Sequence, residues 1–307
     1  MSALATAVDE YLRTRQALGF KLKFAAPTLR RFVTFLESRS MTRVTTELAV
    51  EWACQPAGAP PAHWARRLGV VRRFARYHQA SDPQTEIPSA DLLPFRWVRK
   101  PPYIYTDNDI SALIDAARAL SGRVRPKTYP TLIALLAATG LRVSEALCLQ
   151  RRDCDLKEAV LFVRQTKFRK SRLVPLHAST AEALERYSAE ISKVFPHATT
   201  LLVSPHGKAL RYTVVLSNFR FLLRRVGLPP QGDPRRPLPH GLRHTFAVRT
   251  LLGWYRAGVN VERELPLLAT YLGHTHIAYT YWYLSATPEL LRLAAERLEG
   301  PLWRMPS

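Results

Sequence analysis

A proline-dense stretch divides this chain of 307 residues into two parts. Between Ser81 and Pro102 the sequence contains five prolines, at positions 83, 88, 94, 101 and 102. Proline lacks a backbone N–H and fixes φ, so a segment this rich in proline cannot form a regular helix or a central strand. The chain is also longer than one hydrophobic core usually grows. We therefore predict two domains, residues 1–95 and 104–307, joined by a linker at residues 96–103.

The first part of the chain has helical periodicity. Its clearest apolar stripe consists of Leu29, Phe32, Val33 and Leu36, which share one helical face. A second helix is predicted from about Pro61 to Gln79. One side of this second helix is apolar, and the other carries several arginines and no acid, among them Arg66, Arg72, Arg73 and Arg76. A solvated face and a DNA-contacting face would both give this pattern, and the imbalance of charge favours DNA contact.

In the second part of the chain, the helical periodicity of apolar residues is interrupted once by the alternation typical of strands. Helical patterns are predicted from Thr106 to about Leu120, over residues 128–138 up to Gly140, from Val143, at about 178–193 and 213–226, from Pro239 and from Pro288. Between them, Ala159–Gln165 and Arg172–Leu176 have the pattern of two strands around a basic turn that contains Lys167, Arg169 and Lys170. The predicted fold class is therefore mainly α, with a small β-sheet in the second domain.

The charge of the chain favours a nucleic-acid partner. Lys and Arg number 45 against 24 Asp and Glu, which gives a net charge of +21. Residues 1–100 carry +8 of this excess and residues 101–307 carry +13, so the charge is not confined to a tail. A folded protein this basic usually binds a polyanion. A membrane surface is the competing polyanion, but no segment combines a basic face with a strongly apolar face and a lipidation signal.

Several other classes of protein lack their sequence features. The chain has no apolar run of 18 residues, and its start does not resemble a secretory signal, so we expect a cytoplasmic protein with no membrane partner. Cys54, Cys148 and Cys154 form no pairing pattern. The glycine motifs of dinucleotide and P-loop sites are absent. A zinc hydrolase would have Glu between His240 and His244 where this chain has Gly241, and the acids are scattered singly. We expect no metal and no cofactor.

After these exclusions, the candidate functional residues are a set of cations and a cluster of tyrosines. The cations are Arg142, Lys167, His240, Arg243 and His274, and Tyr279, Tyr281 and Tyr283 follow the last of them. Arginines can neutralise the non-bridging oxygens of a phosphodiester, and a side-chain hydroxyl can replace water as the nucleophile. The set is therefore suited to phosphoryl transfer without a metal ion.

Four strings carry a resemblance to a known family. They are ATGLRVSEAL from residue 138, TKFRKSRLVPL from 166, HGLRHTFA from 240 and YLGHTHIAYTYWYL from 271. Their order resembles the motifs of the tyrosine recombinase family, which includes phage integrases and the Xer-like and Cre-like enzymes. The catalytic similarity covers about residues 104–299, and the first hundred residues match the family only in pattern. The resemblance implies a C-shaped, two-domain DNA clamp, with a helical core-binding domain and a mixed α+β catalytic domain.

The same resemblance implies a role for each site residue. Arg142 and Arg243 would clamp the scissile phosphate, and Lys167 would protonate the leaving 5′ hydroxyl. His240 would assist proton transfer at the nucleophile, and His274 would bind a phosphate oxygen. The nucleophile usually lies nine residues after the last histidine of the family, which points to Tyr283, with Tyr281 as the second choice. Glu145 would orient a neighbouring cation, whereas His244 is expected to pack or hydrogen-bond locally.

The biological setting implied by the resemblance is a site-specific recombinase. Such an enzyme forms a 3′-phosphotyrosine and a four-way junction as a homotetramer on paired double-stranded DNA sites, with or without sister recombinases or DNA-bending proteins. We expect it beside the bacterial nucleoid. A C-terminal helix, Pro288–Glu299, resembles the segment that docks between protomers. The long stretch between Arg243 and His274 favours the mobile-element branch, which performs integration, excision or transposition. Two alternatives stay open, a type IB topoisomerase and a non-catalytic, recombinase-derived DNA-binding subunit.

Overall fold

The computed structural model describes residues 2–94, 101–164 and 171–298 of the chain. The chain divides into two compact units, with the boundary between Arg99 and Lys100. None of the helices in these described ranges is long and apolar enough to cross a membrane.

The first unit consists of helices, which are α1 (Ala3–Ala17), α2 (Ala25–Glu37), α3 (Thr46–Cys54) and α4 (Pro61–His78). The Ser2 hydroxyl accepts a hydrogen bond from the Ala5 amide and so begins α1. Pro61 occupies the first turn of α4, where its missing N–H costs nothing. The predicted helices over residues 29–36 and 61–79 are both present.

The core of the first unit is aromatic at its centre. All four residues of the apolar stripe predicted on α2 are buried. Phe32 packs against Trp52 with ring centroids 5.1 Å apart, and Phe74 of α4 meets Tyr11 of α1 edge to face at 5.7 Å. These contacts join all four helices around one core, because each helix contributes one of the rings.

The segment after α4 is irregular, as its prolines predict. Residues 81–94 contain turns and bends without a helix or strand, and residues 101–106 have no regular secondary structure. The Glu86 amide donates to the Val44 carbonyl, so this part of the segment lies along the first unit. Residues 95–100, which include most of the predicted linker, lie outside the described residues.

The second unit is mostly helical. Its helices in chain order are α5 (Asp107–Arg118), α6 (Arg125–Thr139), α7 (Val143–Cys148), α8 (Ala178–Ser192), α9 (Tyr212–Arg225), α10 (Pro239–Arg256), α11 (Val261–Leu272), α12 (Ala278–Tyr281) and α13 (Pro288–Leu298). A reciprocal capping box between Thr106 and Asp109 starts α5 where the sequence predicts it. Gly140 ends α6 in the left-handed conformation, at φ 59°.

A small antiparallel sheet interrupts the helices. Its strands are β1 (Cys154–Asp155), β2 (Val160–Val163) and β3 (Arg172–Pro175), in the order β1-β2-β3. Leu161 pairs with Val174, and both side chains are buried. The prediction of a mainly helical chain with a small sheet is confirmed. Both predicted strands are shorter than expected, and β1 was not predicted because two residues carry no periodic signal.

The last helices form a separate apolar cluster. Leu251 of α10 and Leu265 and Leu272 of α11 are fully buried there. The Thr287 hydroxyl accepts from the Leu290 amide at the start of α13. Leu290 is buried in this cluster of its own chain, whereas Leu291 beside it is 53% exposed.

Candidate active site

Three arginines meet at the carboxyl end of α11. Each donates a hydrogen bond to one of three consecutive carbonyl oxygens, from Arg172 Nε to Tyr271 at 2.8 Å, from Arg243 Nη2 to Leu272 at 2.6 Å and from Arg142 Nη2 to Gly273 at 3.0 Å. The last carbonyls of a helix have no partner within the helix and carry a partial negative charge. The end of α11 is therefore a natural acceptor for guanidinium groups, and it brings together three cations that are far apart in the sequence.

Two glycines give this arrangement its shape. Gly273 caps α11 in the left-handed conformation, at φ 68°, and a Cβ atom there would lie 2.8 Å from Arg172 Nη1. Gly140 caps α6 in the same way, and its carbonyl accepts from Arg243 Nη1 at 2.9 Å. A Cβ atom on Gly140 would lie 2.6 Å from the Phe246 ring. Only glycine combines the left-handed backbone with this close packing.

A single buried carboxylate, Glu145, balances part of the charge. Arg142 Nη1 donates to its Oε1 at 2.7 Å, and Arg172 donates to both oxygens, from Nη1 to Oε1 at 3.1 Å and from Nη2 to Oε2 at 2.8 Å. The Arg142 amide also donates to Oε2, so Glu145 caps the start of α7. Burial acts to raise the pKa of Glu145, but hydrogen bonds and charge from Arg172 and Arg142 outweigh burial and lower this pKa to about 2. The carboxylate is therefore ionised at neutral pH.

The two predicted phosphate-binding arginines differ in exposure. Arg243 is 2% exposed, and burial, together with the charge of Arg142, lowers its pKa to about 10. It still carries its charge at neutral pH. The Arg142 side chain is 26% exposed and so retains contact with solvent. The structure therefore offers one guanidinium that solvent reaches and one that is buried.

Tyr105 fixes the start of α10, where the predicted His240 lies. Its hydroxyl donates to the Leu238 carbonyl at 3.0 Å, and its amide donates to the Thr245 hydroxyl at 2.9 Å. The Tyr105 ring also lies 2.8 Å from where a Cβ atom on Gly241 would be, so glycine is needed there. His240 is exposed along one side, yet desolvation by the surrounding atoms and the charges of Arg243 and Arg142 lower its pKa to about 4. Its imidazole is therefore neutral at neutral pH and can accept a proton.

Tyr283 lies beside two histidines. It is 2% exposed and occupies the 3-10 turn Trp282–Ser285. Its hydroxyl lies 3.1 Å from His244 Nδ1, and its ring stacks on the His274 ring with centroids 6.2 Å apart. His274 Nδ1 is in turn 2.8 Å from the Thr280 hydroxyl. By contrast, Tyr279 and Tyr281 are 49% and 47% exposed.

The structure brings most of the predicted site residues into one region of the second unit. Hydrogen bonds and ring contacts connect Arg142, Glu145, His240, Arg243, His274 and Tyr283, either directly or through α11 and His244. Lys167, Arg169 and Lys170 lie outside the described residues.

Two residues of the region were missed by sequence reasoning. Arg172 looked like one more cation of a basic turn, although its position at the start of a strand could have set it apart. His244 was expected to interact only locally. Its spacing of one helical turn from His240 was the available signal, and the two imidazole rings are 4.7 Å apart.

The predicted arginines of α4 belong to the first unit. Arg66, Arg73 and Arg76 are exposed and Arg72 is half-buried. Within the described ranges these four residues form no ion pair with a carboxylate. Arg67 instead turns inward and donates to the Trp52 carbonyl at 2.8 Å. The outer face of α4 therefore presents positive charge, in which Arg72 interacts electrostatically with Asp91.

No metal-binding geometry accompanies these residues. Across residues 2–94, 101–164 and 171–298, no three His, Cys, Asp or Glu side chains are grouped so that they could hold a metal ion.

Comparison with known proteins places this arrangement in a family. The model of the phage integrase family matches residues 104–289. The chain is 45% identical over 310 residues to a protein assigned as an integrase/recombinase, y4rB, of Sinorhizobium fredii, covering 97% of this chain and 98% of that protein. It is 30% identical to the tyrosine recombinase XerD of Caulobacter vibrioides, covering 76% and 74% of the two chains.

Solved structures share the fold. The Tn1549 transposon integrase in complex with transposon right end DNA has a TM-score of 0.69 at 20% identity, covering 98% of this chain and all of that one. The XerH site-specific recombinase bound to palindromic difH substrate has a TM-score of 0.66 at 19% identity, covering 89% of this chain and 78% of that one.

Proposed function

The chain belongs to the phage integrase family of tyrosine recombinases and is a site-specific DNA recombinase, and on that premise we propose that it cleaves and rejoins DNA through a 3′-phosphotyrosine on Tyr283. The observation that carries this proposal is the convergence of Arg142, Arg243 and His274 with Tyr283 around the end of α11. Arg142 and Arg172 share the carboxylate of Glu145, whereas Arg243 donates to backbone carbonyls, so the region has an unbalanced positive charge next to a hydroxyl nucleophile.

The arginines bind the scissile phosphate in this proposal. Arg142, which reaches solvent, and Arg243, which is buried, neutralise the non-bridging oxygens as negative charge builds up in the transition state. His274 donates a further hydrogen bond to the phosphate. Because helix carbonyls already hold the two guanidinium groups, little reorganisation is needed when DNA binds.

Proton transfers complete each step. The Tyr283 oxygen attacks phosphorus, the bond from phosphorus to the 5′ oxygen breaks, and the phenol proton passes to His240. Lys167, which lies outside the described residues, protonates the leaving 5′ oxygen. A 5′ hydroxyl of the partner strand then reverses these events, so the number of phosphodiester bonds is unchanged and neither ATP nor a metal ion is consumed. Tyr283 must exchange its hydrogen bond with His244 for contact with the phosphate before attack.

The first unit acts as a helical core-binding domain in the same proposal. Residues 1–95 bind the duplex through the outer face of α4, and residues 104–307, which follow the linker predicted at 96–103, carry the chemistry. The exposed arginines of α4 and the net positive charge of both halves of the sequence support this role.

The biological role we propose is movement of a mobile element, by integration, excision or transposition. The likeness to the Tn1549 transposon integrase supports this assignment, as does the similarity over nearly the full length to y4rB. Strand exchange then proceeds through a four-way junction in a homotetramer on paired sites, in the cytoplasm.

A two-site assay tests this function. A supercoiled plasmid carrying two copies of the DNA that flanks the gene should yield recombinants and branched junction DNA with the wild-type chain and neither product with Tyr283→Phe. Relaxed topoisomers without recombinants would favour a type IB topoisomerase. Tight binding without either product, in the presence of all partner proteins, would favour a non-catalytic subunit.

A further inference from the structure

Arg172 donates three side-chain hydrogen bonds to the protein, whereas the two proposed phosphate-binding arginines donate two each in the described parts of the chain. It is the first residue of β3 and follows Lys167 by five positions in the sequence. Three of its nitrogens donate to the protein, with Nε bonded to the Tyr271 carbonyl and the two terminal nitrogens bonded to the two oxygens of Glu145. Its side chain is only 11% exposed. The guanidinium thus faces inward and is occupied by protein acceptors.

Arg172 and Arg142 share one acceptor, Glu145, and their other acceptors are nearby carbonyls at the end of α11. Glu145 Oε1 accepts from both arginines, and the Gly273 carbonyl that accepts from Arg142 lies two residues after Tyr271. Arg172 also packs against Gly273 so closely that a Cβ atom there would overlap it. Any shift of Arg172 must therefore move both anchors of the Arg142 guanidinium.

We propose that Arg172 is a positioning residue for DNA cleavage, which holds Glu145 and the end of α11 in register and so fixes Arg142 on the scissile phosphate. The proposal rests on the proposed function, because it assumes that Arg142 binds the phosphate. Arg172 does not touch DNA in this role. It connects β3 to α7 and α11, so residues of three separate motifs keep fixed positions relative to one another.

Lysine cannot replace arginine in this position. A planar guanidinium donates in two directions from fixed positions, to both oxygens of a carboxylate and to a carbonyl at the side. An ammonium group at the end of a flexible chain can reach one of these acceptors. Arg172→Lys therefore keeps the positive charge at this position but loses the arrangement of hydrogen bonds. Comparing it with Arg172→Ala separates the effect of charge from the effect of hydrogen-bond geometry.

The experiment measures the rate of covalent adduct formation on a nicked suicide duplex under single turnover, together with duplex affinity. We expect Arg172→Ala and Arg172→Lys each to slow adduct formation by about 10- to 100-fold, the range found when a group that orients reacting residues is lost. Affinity for the duplex should stay within about 3-fold, because Arg172 does not contact DNA.

Arg164→Ala is the matched control. Arg164 directly follows β2, and its Nε donates to the buried carboxylate of Asp153 at 2.5 Å, so it is also an arginine next to the sheet that is paired with an enclosed acid. It contacts none of the proposed catalytic residues in the described parts of the chain. A loss of sheet stability alone would slow Arg164→Ala and Arg172→Ala equally, and this outcome would overturn the proposal.

A double-mutant cycle with Arg142→Ala tests the route of the effect. Removing a phosphate-binding donor typically costs about 100- to 1000-fold. If Arg172 acts through Arg142, the double variant should be no slower than Arg142→Ala alone, since neighbouring residues that act as a unit are not additive. Independent, additive losses would contradict the proposal. A wild-type chain that forms no adduct would instead overturn the proposed function, and this inference with it.

Discussion

Desolvation and a surplus of positive charge around Glu145 together set the ionisation of the neighbouring His240. Arg142 and Arg172 share the carboxylate of Glu145, and Arg243 lies near them on backbone carbonyls. His240 lies beside them, and its lowered pKa keeps the imidazole neutral. A neutral imidazole is what proton transfer from Tyr283 requires, since only the neutral form can accept a proton.

Titration of His240 tests this description. We expect its imidazole in the free protein to protonate as the pH falls through about 4, well below the ordinary value of 6.5. Because the folded pKa is lowered, the unfolded chain binds this proton more readily, so the contribution of His240 to stability falls as the pH falls from about 6.5 to about 4. Carbon-labelled histidine NMR, with His240→Gln for assignment, measures the midpoint. Arg142→Gln should raise the pH midpoint of His240 protonation. A midpoint near 6.5 in the wild-type protein would contradict this prediction.

At the level of elements, helix ends rather than helix faces build the site. The carboxyl ends of α6 and α11 supply the carbonyls that hold the arginines, and a left-handed glycine ends each helix. The carbonyl directions therefore depend on the conformation of Gly140 and Gly273.

Gly140→Ala should affect both stability and rate. A left-handed alanine costs about 1–2 kcal/mol by itself, and its Cβ atom would also overlap the Phe246 ring. Gly258 is the matched control, because it has φ 71° and open space where its Cβ atom would be. We expect Gly140→Ala to lower the urea midpoint more than Gly258→Ala, and to slow adduct formation because the Gly140 carbonyl holds Arg243. Equal midpoints and unchanged rates would contradict the packing argument.

The outer face of α4 is the second element with a testable role. Arg73→Ala should weaken binding to every duplex sequence and reduce the slope of log affinity against log salt by about one, because one phosphate contact is lost. Arg186→Ala, on α8, removes the same charge from a residue 3.9 Å from Glu182 and serves as control. An unchanged salt slope in the α4 variant would indicate a face that is merely solvated.

The sequence predicts elements better than it predicts contacts between them. The sequence predicted the apolar face of α2, the helix cap at Thr106 and the helix end at Gly140. Hydrophobic periodicity and helix capping are properties of neighbouring residues, so they can be recognised in the sequence. The gathering of three arginines on α11 was not visible. Arg142 and Gly273 are 131 residues apart, and Arg243 and Gly140 are 103 apart. Only motif order indicated that such residues belong together, and motif order did not distinguish Arg172 from the other cations of its turn.

At the scale of the whole molecule, positive charge is spread over two units. Both halves of the sequence carry an excess of Lys and Arg. The proposed catalytic residues of the described chain lie in the second unit, and the basic face of α4 lies in the first. Affinity for DNA and chemistry on DNA are thus expected to respond to different substitutions.

The central claim is that Tyr283 becomes covalently linked to DNA. A nicked duplex from the DNA that flanks the gene would be incubated with the full chain, and the product that resists SDS but not protease would be digested and mapped by mass spectrometry. The account predicts a phosphodeoxynucleotide on Tyr283 and no adduct with Tyr283→Phe. An adduct on Tyr281 or Tyr279, or one that persists in the Tyr283→Phe variant, would contradict it.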